Sequence, residues 1–598
     1  MRMSIVSETR SKEFLKISGQ FKLGALVTES SHPVTADLSN VAQKDIAAAL
    51  KLLFEADRDV VNKFREFVQS GRAAAVAATI REAVRNGGRI FFTGCGSTGR
   101  LSILLDSIWR GFWRQRGQAD YEDRTFSVMA GGDYALIKSV EGFEDFTAFG
   151  KKQMSDLGVA SRDVVFAITE GGETSFVIGT AWRGVEVGAK VYFVYNNPDE
   201  ILCEHVQRSR EVIQDARIEK INLTTGPMSI TGSTRMQATS IQLCVMLTIL
   251  EMASADLLAG ETASGGADVP ARFLAALEEL HAKLCSPDLL AALAKIVALE
   301  ESVYRGGHKN NYYADQFAGD VLTDTTERSP TYCTPPFRKF DDATASESWS
   351  FLFLPEEQTE AAWENILQRR PRCVEWSNAE ASTLVEPEKV ERTLEIIRKI
   401  SARELLRFKI DAQGTAYRQH GPGDSAIVVA GGKERGPARK FFESRLELGR
   451  KNDARTGLIY FGSIPPSELT ALADTALTVS VPTTEFLLDG VARVAVKLVM
   501  NALSTCTMVR LGRVMGNYMI WVVPSNLKLI DRATRYITRL TPLDYETANG
   551  LLFEILEYVE PRMKSDQAYP PVVGMAVLRT REKLSNEAAE AKLKQVSS

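Results

Sequence analysis

The sequence predicts an α/β protein with two doubly wound parallel sheets and an all-helical C-terminal cap. Three observations predict it. Short apolar runs of strand character alternate with helical periodicity in two separate stretches. Turns of glycine with serine or threonine follow several of those runs. The 598 residues are more than one hydrophobic core holds. Such alternation places helices on both faces of a parallel sheet and ligands at the carboxyl ends of its strands. The expected division is an N-terminal arm over 1–43, a first α/β domain over 44–287, a second over 288–500 and a helical cap or lid over 501–598.

Composition narrows the function. The chain is 44% hydrophobic and 25% charged, with a net charge of -4. That balance argues against coating nucleic acid or an anionic membrane, while one bound phosphate needs only a few local cations. Cys95, Cys203, Cys244, Cys285, Cys333, Cys373 and Cys506 are scattered. Without a Cys-x-x-Cys pair there is no zinc ribbon or redox motif to propose, and neither metal nor cofactor is expected. The first 15 residues are charged and lack the apolar segment of a signal peptide. No unbroken run of about 18 apolar residues offers a membrane span. The expected compartment is the cytoplasm.

Taken in order, residues 1–20 are polar and expected to be loosely ordered, and 26–35 reads as a turn-rich, extended arm. Over 41–85 the apolar residues Ile46, Leu50, Leu53, Val60, Val61, Phe64 and Phe67 fall at helical spacing. They predict two or three helices over one sheet face. Strands are expected at 89–93, 125–129, 164–168, 191–194 and 221–223. The first is followed by Thr93-Gly94-Cys95-Gly96-Ser97-Thr98-Gly99-Arg100-Leu101, a glycine turn with two hydroxyls opening a helix. Unpaired N–H groups and the helix dipole make such a turn an anion site.

Gly94-x-Gly96-x-x-Gly99 also meets the dinucleotide fingerprint, which asks for an acidic residue about 20 positions further on. The next strand candidate instead runs into Ala130-Gly131-Gly132-Asp133, later than that spacing. Two further turns decide between the readings. Thr169-Glu170-Gly171-Gly172-Glu173-Thr174-Ser175 follows the third strand. A third turn, from Thr224 to Met236, leads into a nearly wholly apolar helix around 241–250 that must be buried. Three such turns at one sheet edge suit a compact phosphate monoester with sugar hydroxyls. A dinucleotide needs only the first.

Gly94-Cys95-Gly96-Ser97-Thr98-Gly99-Arg100-Leu101, Ala130-Gly131-Gly132-Asp133, Val140-Glu141-Gly142-Phe143-Glu144-Asp145 and Ile230-Thr231-Gly232-Ser233-Thr234-Arg235-Met236 occur in that order. Together they resemble the sugar isomerase (SIS) domain family that holds the N-acetylmuramic acid 6-phosphate etherases and the glucokinase regulatory protein. A further match runs through Leu503 to Val514, Gly516-Asn517 and Ser525-Asn526-Leu527-Lys528-Leu529. The resemblance covers 26–260 and 501–532. Between them lies a second α/β pattern, with strands expected at 350–354, 426–429, 458–461 and 477–481 and a helix at 390–408. Its loops, 306–311 and the polar, proline-bearing 323–338, lack a Gly-Ser-Thr-Gly turn. The resemblance therefore implies two SIS domains, the second with a degenerate site.

Etherases of this family eliminate lactate with one glutamate as base and a second as acid, since one carboxyl must be charged while the other is protonated. Glu144 matches one of them. Ile108 stands at the position of the other, with Asp106 nearby. Gly171-Gly172-Glu173-Thr174 replaces Ser-Gly-Arg-Thr, and Met228 and Gln237 replace a usual glutamate and lysine. The departures at Ile108 and Gly171 resemble the regulatory protein. That likeness implies a hexose-phosphate or amino-sugar-phosphate binder with a sensing role, and a sugar kinase or other protein as partner. An etherase-type lyase acting through Glu144 is the alternative, and a structural assembly protein a third. Carried over, Gly96, Ser97 and Thr98 grip phosphate and Ser233 and Thr234 complete its shell. Thr169 and Gly171 flank the sugar, Glu144 accepts from its hydroxyls, and Lys528 brings positive charge from the cap. Arg100 and Arg235 are expected to bond carbonyls or carboxylates inside the fold.

Overall fold

Apolar runs that must be buried on both faces read as continuous rather than alternating strands, and the first sheet is built from them. A computed structural model describes residues 4–18, 23–140, 142–260, 266–524, 527–563 and 569–597. Glu141, Ser525 and Asn526 of the motifs above lie outside the described residues. The strands are β1 (Ile90–Gly94), β2 (Thr125–Met129), β3 (Val164–Ile168), β4 (Lys190–Tyr195) and β5 (Ile218–Asn222). All are parallel, in the order β2-β1-β3-β4-β5. Both β1 and β3 are buried throughout. Phe92, Phe166 and Tyr192 stack across neighbouring strands with centroids 5.7 and 5.0 Å apart, which locks the register.

The second sheet repeats this plan with β6 (Asn310–Ala314), β7 (Ser350–Phe353), β8 (Ser425–Ala430), β9 (Arg455–Phe461) and β10 (Thr475–Val479). Its order is β7-β6-β8-β9-β10, again all parallel. Sequence reading treated 306–311 as a loop and missed β6. The strand starts on two asparagines, whose buried amides are satisfied by the fold. Asn310 donates to Glu300 at 2.7 Å and accepts from Ser425 at 2.9 Å, and Asn311 accepts from Arg418 at 2.6 Å.

Six helices shape the site: α1 (Gly96–Gln115), α2 (Ser175–Glu186), α3 (Gln237–Ala259), α4 (Ala318–Tyr332), α5 (Gly490–Arg510) and α6 (Leu527–Leu540). The expected polar loop over 323–338 is largely α4. Its threonines return their hydroxyls to carbonyls one turn back, Thr323 to Gly319 at 2.9 Å and Thr326 to Leu322 at 2.8 Å, so polarity does not break the helix. Pro330 lies near its end, where Cys333 turns left-handed (φ 54°). Helix α5 runs unbroken through the expected domain boundary at 500, because it packs on α3 and α4 alike. By length and mean hydropathy α3 and α5 also pass as membrane spans, but 89% and 83% of those windows are buried inside the fold.

Other expectations are corrected at the periphery. Residues 41–85 hold parts of four helices (Leu38–Lys44, Ile46–Ala56, Arg58–Gln69, Arg72–Arg85). The helix expected over 390–408 ends at Lys399, and a short one follows at Ala402–Leu405. Among the described residues, the C-terminal region is mainly helical, with a two-residue ladder pairing Val514–Met515 with Tyr518–Met519. The N-terminus is ordered rather than loose over Ile5–Ile17, a helix capped by Ser4. It docks on Tyr545–Val559, where Ser11 bonds Asn549 at 2.7 Å and Phe14 meets Phe553. That partner lies at the other end of the chain, beyond any local signal.

Arg369 joins the two halves. It is buried and donates to Asp106 (3.1 Å), to Asp133 (2.6 and 3.0 Å) and to Ser127 (2.8 Å). Removing one partner of a buried ion pair strands its charge. Arg369→Met is expected to destabilise the protein by about 3–5 kcal/mol, read as a lowered urea midpoint; an unchanged midpoint contradicts this account of the junction.

Candidate functional site

Strand order reverses direction of growth at β1 and β3, and ligands in such sheets bind outside the carboxyl ends at that point. The first and second turns leave these two strands, and each opens a helix. Gly94 is required in the first turn, since a Cβ there would lie 2.4 Å from the Thr98 backbone. Gly96 sits at φ +55° with open space above it, so the helix start faces outward. Thr98 is buried and caps its own turn, accepting from Cys95 N at 3.1 Å. Ser97 is the hydroxyl that reaches beyond the turn.

The second turn carries more charge than hydroxyl. Thr169 is buried, with its Oγ1 3.2 Å from that of Thr174 and 3.3 Å from the Gly172 amide. Gly171 accepts from Asn197 at 3.0 Å. Glu173 is ion-paired to Lys528 and Arg208. Burial alone would raise its carboxyl; the two cations outweigh it and hold the group at about 2. Lys528 thus reaches the turns from α6, yet its charge is answered by Glu173. Burial acts against the Lys528 ammonium, but Glu173 and then Glu144 raise it above the ordinary lysine value. Glu144 accepts from the Cys95 thiol at 3.5 Å, and its carbonyl receives the Phe176 amide at 3.0 Å.

The third turn folds back from β5 toward the same place. Ser233 is buried, and the Thr234 carbonyl accepts from Thr239, whose hydroxyl lies 3.4 Å from Glu170. Gly232 (φ +71°) admits the Tyr536 hydroxyl, Glu29 and Arg532 into space a Cβ would fill. Glu29 of the arm pairs with Arg532 and Arg535 of α6, which override burial and hold it at about 2. Asn517 completes the joint, accepting from Ser31 (2.8 Å) and Thr231 (3.0 Å). The arm, the third turn and α6 are therefore one unit, and Lys528 rides on it.

Two glutamates went unread in the sequence. Glu327, on α4, accepts from Ser97 at 2.9 Å and from Arg100 at 2.6 Å. The second domain thereby sets a carboxylate on the first glycine turn of the first domain. Glu170 is buried without an ion pair among the described residues, and burial first, then Glu327, pushes its carboxyl up to about 7. Its position inside the second turn was the available signal; nothing local announced Glu327, 230 residues from Ser97. The expectation for the arginines holds. Arg100 bonds the Leu136 carbonyl and Glu327, and Arg235 bonds Asp324 at 2.6 Å.

The family described as the glucokinase regulatory protein N-terminal SIS domain matches residues 72–182. An N-acetylmuramic acid 6-phosphate etherase from Yersinia pestis (strain Pestoides F) is 31% identical over 225 residues, covering 38% of this chain and 69% of that one. The enzyme of the same name from Yersinia pseudotuberculosis serotype O:1b (strain IP 31758) matches equally. The chain belongs to the SIS-domain family of these etherases and the glucokinase regulatory protein. Solved structures with which this SIS protein aligns include the tagatose-6-phosphate ketose/aldose isomerase from Escherichia coli. It shows 10% identity and a TM-score of 0.39, over 78% of this chain and 94% of that one.

Within the SIS frame, Ile108 is buried in the hydrophobic core and offers no chemistry. Asp106 is no substitute. It is fully buried and turned to β2 and the second domain, bonding Thr125, Ser127, Arg110 and Arg369. In the second SIS domain, β6 is followed by Asp315, which accepts from Arg435 N at 3.0 Å and Nε at 2.8 Å. That acid stands at the position of an anion turn. The second sheet thus answers an arginine where the first offers a helix N-terminus.

A carboxyl raised to about 7 keeps its proton in the folded chain where the unfolded chain, near 4.5, has lost it. Stability from Glu170 therefore declines as pH rises from about 4.5 through 7. Glu170→Gln is expected to raise the melting temperature at pH 8 and leave it near the parent's at pH 4. Equal shifts at both values would refute the raised carboxyl.

Proposed function

We propose that this protein binds a hexose phosphate or amino-sugar phosphate at the carboxyl edge of its first sheet, in the cytoplasm, and reports occupancy as a sensor. One observation carries the reading. Ser97 from the first domain, Glu327 from the second and Lys528 from the C-terminal region converge on the same turns. A ligand that takes both Ser97 from Glu327 and Lys528 from Glu173 changes the contacts of all three bodies. Differential contact of that kind is what lets a ligand shift a conformational equilibrium. In this reading Gly96, Ser97 and Thr98 present the helix N-terminus to phosphate, with Ser233 and Thr234 behind it. Thr169, Gly171 and Glu144 meet the sugar, and Lys528 answers the charge. A kinase or other protein that reads the C-terminal region is the corresponding partner.

A second reading, etherase-type elimination, is favoured by Glu170. Glu144 would take the proton at C2, and Glu170, with its carboxyl pushed up to about 7, would protonate the leaving oxygen. Against it stand Ile108 in place of the family acid and Glu173 in place of the second turn's arginine. One positioned acid or base is worth roughly 100-fold to 10,000-fold. Lactate release from N-acetylmuramic acid 6-phosphate is accordingly expected to be slow or undetectable. Rapid release abolished in both Glu144→Gln and Glu170→Gln would make this protein an etherase with a relocated acid.

Hexose 6-phosphates or 1-phosphates are expected to raise the melting temperature while NAD and ATP do not. Ligand at 100 times its dissociation constant adds about 2.7 kcal/mol. Lys528→Met should weaken binding and erase ligand-dependent hydrogen-exchange protection over 527–540. Should Lys528→Met bind normally and the parent show no such protection, the sensing role fails and a plain binder remains.

A further inference from the structure

We propose that the cavity enclosed by α1, α3, α4 and α5 is a second anion site, which takes a small protonated oxyanion such as hydrogen phosphate between Lys497 and Arg235. It goes beyond the glycine-turn reading and shares Ser97 and Glu327 with it. The cavity measures about 40 Å³, where one water-sized group needs roughly 10–15 Å³. Leu101, Leu104 and Leu243 form an apolar side, and Thr239, Asn501, Arg235 and Lys497 supply polar groups.

Two cations on the wall have donors to spare. Arg235 uses Nη2 on Asp324 and Ser504 and Nε on Asn501, at 2.6, 2.7 and 2.9 Å. Its Nη1 is buried and has no partner, although the residue is only 4% exposed. A buried charged donor left unpaired is costly, which marks the place for an acceptor. Lys497 donates to the Arg235 carbonyl at 3.0 Å, and among the described residues it pairs with no carboxylate. Burial and then Arg235 pull its ammonium down to about 8, against the opposing pull of Glu327, Asp324 and Asp57, as for a buried cation without a paired carboxylate.

The carboxylates on the wall are already claimed. Asp320 is held by Arg493 at 2.5 Å, Asp324 by Arg328 at 2.9 Å and Glu327 by Arg100 at 2.6 Å. Asp57, which acts on Lys497 through space, receives Gln237 at 3.3 Å. One oxygen of Asp320, Oδ1, is buried without a donor. Hydrogen phosphate offers acceptors to both cations and an O–H to that oxygen, which a plain carboxylate does not.

Inorganic phosphate titrated calorimetrically into the full chain, Lys497→Met, Lys497→Arg and Thr98→Val tests this. The parent is expected to show a phosphate-binding event that is at least tenfold weaker in Lys497→Met and kept in Lys497→Arg, while Thr98→Val removes only the contribution of the glycine turn and leaves this event in place. No binding by the parent, or a Lys497→Met isotherm matching it, overturns the proposal. Binding lost in Thr98→Val but kept in Lys497→Met overturns it and leaves the glycine-turn reading standing. The reverse pattern supports the cavity whatever becomes of that reading. A crystal soaked in arsenate needs no variant. An anomalous peak between Lys497 and Arg235 is expected, and an empty cavity overturns the site.

Discussion

The ion pair between Arg100 and Glu327 is the constraint on which the arrangement of the two domains rests. Arg100 is fully buried on α1, and a guanidinium taken out of water needs an anion and further acceptors. Its answer comes from α4, which carries Asp320, Asp324 and Glu327 at helical spacing on one face. Each finds an arginine from a different element: Arg493 on α5, Arg235 in the third turn and Arg100 on α1. Buried pairs of this kind add little stability over apolar packing, but breaking one leaves a stranded charge. Three in a row fix the rotation and register of α4. The Ser97–Glu327 contact follows from that register.

The duplicated sheet order makes the division of labour visible. Both halves present a helix after their first strand, α1 after β1 and α4 after β6. In the first, glycines keep the helix start clear. In the second, Asp315 and its partner Arg435 stand there, and the helix contributes its acidic face to its sister instead. One half keeps an open glycine turn at a helix start, and the other supplies carboxylates to its rim. Neither half holds the whole constellation.

What was legible in the sequence follows the same physics. Strands buried on both faces announce themselves as apolar runs, so β2 and β3 were found to the residue and β1 and β4 to within one. Strand β6 and helix α4 were not, because their polar side chains are satisfied within the fold, the threonines of α4 by carbonyls one turn back and its acids by arginines far along the chain. The glycine turns were legible because backbone geometry demands that residue type. Lys528 meets the second turn through an ion pair, an opponent that the resemblance did not supply. Glu173, in the same quoted turn, is that opponent. Charge pairing between segments 355 residues apart leaves no periodic trace.

The opposing charges decide how the site can respond. Four carboxylates, Glu144, Glu170, Glu173 and Glu327, border the turns, and the cations nearest them are already engaged. In the proposed reading, a phosphate entering here would gain Lys528 only by weakening its pair with Glu173, and Ser97 only by displacing Glu327. Each exchange would release one body from another: α6 from the second turn, α4 from the first. Net affinity would be reduced by the pairs given up, and the difference would appear as a shift between arrangements. A site built purely for tight binding would leave its lysine unpaired and its serine free. The helix that bears the lysine is instead held by Glu29 of the arm, so in the proposed reading a change at the turns would reach a joint made from both ends of the chain.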